Sequence, residues 1–140
     1  MLTVYSYFVM DILHRGHLLF LKNSKAMAGE NGRLIVGIVA DEAVIKKKGT
    51  APTLEFSERL ELAHAIKFAD LVVAQESYSP VDNVLKLRPD ILMESDSHDK
   101  HQLANSEKIM HELGGRVVTL PYFQEQSSTL IKEKLRNSIG

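Results

Sequence analysis

At 140 residues, with 44% hydrophobic and 25% charged side chains, the chain suits one globular domain, residues 1–140, built around one core. A net charge of -1 gives no overall attraction for nucleic acid, no apolar run approaches the roughly 20 residues that span a bilayer, and zero cysteines exclude disulfide and thiolate chemistry. Without a signal peptide's basic start or cleavage site, a cytoplasmic protein is expected, with neither nucleic acid nor membrane as partner.

In chain order, Leu2 to Met10 is rich in Val, Tyr and Phe and suits a buried first strand. The turn Asp11-Ile12-Leu13-His14-Arg15-Gly16-His17 follows, and a helix is expected from His17 to about Met27, stopped by Gly29 and Gly32. Leu34 to Ala40 is near-continuous Leu, Ile and Val, the pattern of a parallel strand covered on both faces. Asp41 to Phe56, with the run Lys46-Lys47-Lys48, Gly49 and Pro52, reads as a long loop of the kind that carries function. A helix capped by Ser57 runs to about Ala69, and Leu71 to Ala74 is strand three. A short helix from Val81 should stop at Arg88, because Pro89 disfavours helical backbone in the residue before it. Ile91 to Met93 is strand four, Lys100 to Leu113 a helix closed by Gly114-Gly115, and Arg116 to Leu120 strand five. Ser127 or Ser128 caps a last amphipathic helix.

Strands alternating with helices in this way imply an α/β fold: a Rossmann-like, doubly wound, five-stranded parallel sheet with helices on both faces. Ligands of such sheets bind outside the carboxyl ends of the strands, at the switch point. There the chain places His14 and His17, Asp41 and the lysines, Glu76 and Tyr78, Glu94, Asp96 and His98, and the Ser127-Ser128-Thr129 helix start. Two histidines three apart at a helix start point to one side, and Gly16 between them lets a ligand approach the backbone. Free N–H groups and the helix dipole favour phosphate at that end. The imidazoles could then donate to a phosphate gaining charge in its transition state, while Lys46, Lys47, Lys48 and Arg59 neutralise other phosphate oxygens. The bland readings are a capping role for the histidines, a solvated face for the lysines and an ion pair for Arg59. His98 and His101 read first as surface helix-start residues, with a ligand contact for His98 and, last, a metal site as the alternatives.

Asp11-x-x-His14-x-Gly16-His17 resembles the HxGH signature of the nucleotidyltransferase superfamily, and nearly the whole chain is similar to its glycerol-3-phosphate cytidylyltransferase branch. Asp41-Glu42, Glu58-Arg59 and Ser127-Ser128-Thr129-x-Ile131-Lys132 follow the family's order. The resemblance implies attack by a small phosphorylated or phosphonylated alcohol on the α-phosphate of CTP, with release of pyrophosphate. His14, His17 and Lys47 would be catalytic. Val9, Met10, Asp11, Gly16, Lys46, Arg59, Asp96, Ser127, Ser128 and Thr129 would bind the nucleotide. Magnesium would accompany the triphosphate, no protein-held metal is expected, and a homodimer is. Phe8-Val9-Met10 stands where the family has Gly-Thr-Phe, Ser95-Asp96-Ser97-His98 replaces Gly-Asp-Asp-Trp, and the arginine before the Ser/Thr element is missing. The alternatives are an adenylyltransferase of the same fold using ATP, with a flavin, sugar or pantetheine phosphate as acceptor, and a nucleotide-binding protein without catalysis.

Overall fold

The computed structural model describes residues 1–121 and 128–139. The first strand, β1 (Thr3–Phe8), leads into α1 (Arg15–Ala28), and β2 (Arg33–Val39) into α2 (Asp41–Lys48) and α3 (Phe56–His64). β3 (Leu71–Gln75), α4 (Val81–Leu87), β4 (Ile91–Ser95), α5 (Lys100–Glu112), β5 (Arg116–Leu120) and α6 (Ser128–Ile139) complete the order. The five strands form one all-parallel sheet in the order β3-β2-β1-β4-β5. The chain therefore reverses its direction of winding between β1 and β4.

Period-two alternation decides which helix packs on which face. Val4, Leu34, Val36, Ile38, Ile91 and Met93 join Leu21 of α1 and Ala63 of α3 in one core cluster. Tyr5, Ile35 and Leu92, one residue out of phase, join Val84 of α4 and Met110 of α5 in a second cluster on the opposite face. Both faces are thereby covered, as the near-continuous apolar run of β2 requires. Among the described residues no helix is long and apolar enough to cross a membrane.

β1 pairs with β2 over six residues, Thr3↔Arg33 to Phe8↔Ile38. With β4 it pairs only through Val4↔Ile91 and Tyr5↔Leu92. The carboxyl halves of β1 and β4 are not laddered together, and the sheet opens at its switch point, where ligands of such folds bind.

Several expected boundaries are corrected. The stretch from Asp41 is not a loop until Gly49, because it carries good helix-end signals: Asp41 and Glu42 in the first turn and three lysines in the last. Gly49 closes it in the left-handed region, at φ 83°, donating its N–H to the Ile45 carbonyl. The described residues therefore hold six helices rather than five. α1 opens at Arg15, with His14 as its N-cap, and β1 ends at Phe8 because Met10 turns into the left-handed region at φ 56°. α3 starts one residue before Ser57, with Glu55 as N-cap, and stops at His64. β4 runs on to Ser95. Arg88 does end α4, in a left-handed conformation ahead of Pro89.

Candidate active site

The turn between β1 and α1 is built by the two histidines themselves. His14 Nδ1 accepts from the Gly16 N–H at 3.0 Å, and His17 Nδ1 accepts from the His14 N–H at 3.2 Å. Reciprocal acceptance of this kind is a capping box in which imidazoles replace the usual hydroxyl and carboxylate. A ring nitrogen that accepts from an amide carries no proton, so the network assigns both rings as neutral tautomers with the proton on Nε2. Burial lowers the pKa of His17 to about 3, helped by the neighbouring His14, and burial also lowers that of His14. With ring centroids 4.0 Å apart, the pair presents two fixed N–H donors beside the amides of the first helical turn. Phe8 packs edge-on against His17 at 5.7 Å.

This turn forms part of the wall of a cavity of about 630 Å³ at the switch point. Val9, Met10, Asp11, His14, Gly16 and His17 line it, as do Ser128 and Thr129 at the start of α6. Ser127 and Tyr122 to Gln126, the segment of the missing arginine, lie outside the described residues. Asp11 is 6% exposed and accepts from the N–H groups of Thr53 and Leu54 and from Lys132. Desolvation pushes its carboxyl upward, but Lys132 and the two amides outweigh it and hold the pKa below the usual carboxylate range. Ser128 Oγ donates to the Ile12 carbonyl at 2.9 Å and accepts from the Ile12 N–H at 3.3 Å. The amino end of α6 is thus fastened to the histidine turn.

The other expected residues sit at different depths. Of the three lysines at the end of α2, Lys48 lines the cavity; Lys46 and Lys47 do not, and the Lys47 ammonium rests 5.8 Å from the ring centre of Tyr78, which does line it. Arg59 is fully buried. Its guanidinium donates to the carbonyls of Val9, Val39 and Leu54 and to Asp41, so it shapes the site from beneath, through the backbone of Val9. Asp96 stands between two wall residues, Ser95 and Ser97, without lining the cavity itself. Sequence reasoning missed Lys132, although it quoted that residue in the Ser/Thr element; its place one turn beyond Ser128 put both on one helix face. Glu94, expected with Asp96 and His98 at the end of strand four, lies within β4 and is fully buried.

Asp11 is the acidic member of the described cavity wall, and it already serves two amides and an ammonium. Among the described residues no three His, Cys, Asp or Glu side chains group as metal ligands. This donor set does not fit a protein-held cation; magnesium here would be carried by triphosphate oxygens.

A family model described as Cytidylyltransferase-like matches residues 9–134. A FAD synthase of Korarchaeum cryptofilum is 36% identical over 126 residues, covering 89% of this chain and 85% of that protein. The bifunctional protein HldE of Coxiella burnetii is 31% identical over 128 residues, 91% of this chain; the chain spans only 26% of the length of HldE. Among solved structures, a lipopolysaccharide core biosynthesis protein from Thermoplasma volcanium superposes with a TM-score of 0.71 at 27% identity, covering 87% of this chain and 96% of that one. An Archaeoglobus fulgidus protein of unknown function shares the fold at TM-score 0.68 and 17% identity. A parallel sheet with an HxGH helix start at its switch point, matched along its length in this way, defines a nucleotidyltransferase enzyme. The chain belongs to the cytidylyltransferase-like family.

Proposed function

We propose that the chain transfers a nucleoside monophosphate from a triphosphate to a phosphate-bearing acceptor, with ATP as donor and a flavin mononucleotide-like phosphomonoester as acceptor. The observation that carries the transfer is the histidine capping box. It leaves two neutral imidazoles with their Nε2–H donors fixed beside a helix N-terminus, in a cavity wall. An acceptor phosphate oxygen attacks the α-phosphorus, the new P–O bond forms as the bond to the β-phosphate oxygen breaks, and pyrophosphate leaves with the electron pair. His14 and His17 donate to the oxygens that gain charge, where preorganised donors act most strongly. Lys48 and the start of α6 at Ser128-Thr129 supply positive potential for the other phosphates, with magnesium brought by the triphosphate.

The FAD synthase likeness supports ATP, because FAD is flavin mononucleotide joined to AMP. A cavity of about 630 Å³ suits a nucleotide with an acceptor of some size. A second reading, CTP with a glycerol-3-phosphate-like or phosphonate acceptor, is favoured by the motif likeness of Asp11 to His17 and of Ser128-Thr129-x-Ile131-Lys132. The proposal includes a single-domain protein that acts in the cytoplasm as a homodimer, which light scattering checks. The deciding experiment measures pyrophosphate release with ATP or CTP against flavin mononucleotide, glycerol 3-phosphate and a phosphonate alcohol, with magnesium. Turnover with ATP and flavin mononucleotide supports the first reading; turnover confined to CTP selects the second. Release with no pair overturns both.

A further inference from the structure

Opposite in protonation pattern to the capping-box pair, a third histidine lines the same cavity. His98, just past the end of β4, sets Nδ1 2.6 Å from Oε2 of Glu94. Glu94 is fully buried, and it also accepts from Tyr7 Oη at 2.8 and 3.0 Å and from Ser106 Oγ at 3.2 Å. Tyr7 Oη in turn accepts from Gln102 Nε2 at 2.8 Å, and the Tyr7 ring stacks on His98 at 5.9 Å. A carboxylate held by other donors can only accept from His98, so Nδ1 carries a proton. In the neutral ring that leaves Nε2, without a partner among the described residues, as the acceptor. His14 and His17 are donors by the same logic run the other way.

An acceptor nitrogen repels phosphate oxygens and takes an O–H. The neighbouring wall agrees with that chemistry. Ser95 and Ser97 line the cavity beside His98, their hydroxyls 2.8 Å apart, and the lysines that line it, Lys48 and Lys132, come from α2 and α6. The β4 wall is therefore polar and uncharged, while positive charge enters from other elements.

We propose that His98 is a specificity-determining residue that accepts a hydrogen bond from a sugar or polyol hydroxyl of a substrate, with Glu94 as the positioning residue that fixes its tautomer. This rests on the transfer reaction proposed above. The hydroxyl belongs either to the ribose of the nucleotide or to the polyol chain of the acceptor, and steady-state kinetics on each substrate separates the two.

His98→Asn keeps an N–H where Nδ1 donates to Glu94 but loses the acceptor at the Nε2 position; His98→Gln places an amide oxygen near that position. For His98→Asn we expect KM for one substrate to rise about tenfold or more, with kcat within about threefold and the melting temperature unchanged. His98→Gln recovers part of the loss. The parent discriminates against the 2′- or 3′-deoxynucleotide, or against a deoxy acceptor, and His98→Asn loses that discrimination. Glu94→Gln, which retains an acceptor for Nδ1, keeps the KM that Glu94→Met loses. Parent-like KM values for both substrates in His98→Asn overturn the inference while the reaction stands. An equal loss for hydroxylated and deoxy substrates overturns the hydroxyl contact. A parent that turns over neither triphosphate overturns the reaction, and the inference falls with it.

Discussion

Lys132 of α6 is ion-paired to Asp11 of the β1–α1 turn, 121 positions earlier in the chain. The pair joins the last helix to the turn that carries the histidines, beside the Ser128–Ile12 hydrogen bonds. Asp11 also accepts from two amides of the segment that precedes α3, so one carboxylate ties three parts of the cavity wall together.

Asp11→Asn replaces one acceptor oxygen by a donor that faces an N–H group or the ammonium. At pH 7 we expect a loss of about 1–3 kcal/mol, measured by chemical denaturation. The folded pKa lies below the ordinary value of 3.8. The carboxylate's contribution is therefore fully present above that value and fades as the pH falls through the folded pKa. The gap between parent and variant should narrow on acidification below 3.8 and stay constant between pH 6 and 8.

His14 has two separable duties, capping through Nδ1 and donating through Nε2. His14→Asn keeps a capping oxygen and removes the donor; His14→Ala removes both. Pyrophosphate release should fall about 10²-fold or more in either variant, while helix stability drops by about 1 kcal/mol only in His14→Ala. If His14→Asn retains parent turnover, the donor role is wrong.

His17 gives a pH signature in stability. Its pKa is lowered by burial from 6.5 to about 3, so between those values the unfolded chain binds a proton that the folded chain does not. Stability then falls as the pH is lowered through that window, with a slope of up to about 1.4 kcal/mol per pH unit from this one group. His17→Gln should flatten that part of the stability curve. Denaturant midpoints at pH 7, 6 and 5 check it, and an unchanged slope would exclude His17 as its source.

The end of α2 offers three lysines with different surroundings. Lys48→Ala should raise KM for the triphosphate about tenfold, since its charge faces the cavity. Lys46→Ala should have little effect, and Lys47→Ala an intermediate one through its ring partner Tyr78. Equal small losses at all three would make the run a solvated helix end.

The parallel sheet was legible in the sequence because Val, Ile and Leu runs alternate with helical patterns closed by Gly29, Arg88-Pro89 and Gly114. The histidine turn was legible because the Asp-x-x-His-x-Gly-His spacing names residues that share one short turn. α2 was misread because the lysine run and Pro52 were weighed as loop signals, when acidic residues first, lysines last and Gly49 are helix-end chemistry. Glu94 and His98 stood out at the end of strand four, but their network with Tyr7 was out of reach: Tyr7 comes from β1, and only the partial β1–β4 ladder brings it to them.

Arg59 shows how far a ligand-like residue can be withdrawn from the ligand. All its described bonds go to protein: three carbonyls, at 2.6 Å to Val9, 2.8 Å to Val39 and 3.0 Å to Leu54, and Asp41 at 2.7 Å. Val9 and Val39 end the first two strands' approach to the cavity, so one planar guanidinium sets the spacing of two wall segments. Arg59→Met leaves buried carbonyls unpaired and should cost about 3 kcal/mol or more. Arg59→Lys retains the charge, but a point-like ammonium cannot span the same fork of acceptors, so it should recover only part of that loss. Denaturant unfolding measures both. In whatever fraction remains folded, kcat/KM should fall through the displaced Val9 backbone, whereas a direct phosphate contact would make Arg59→Lys nearly as active as the parent at full stability.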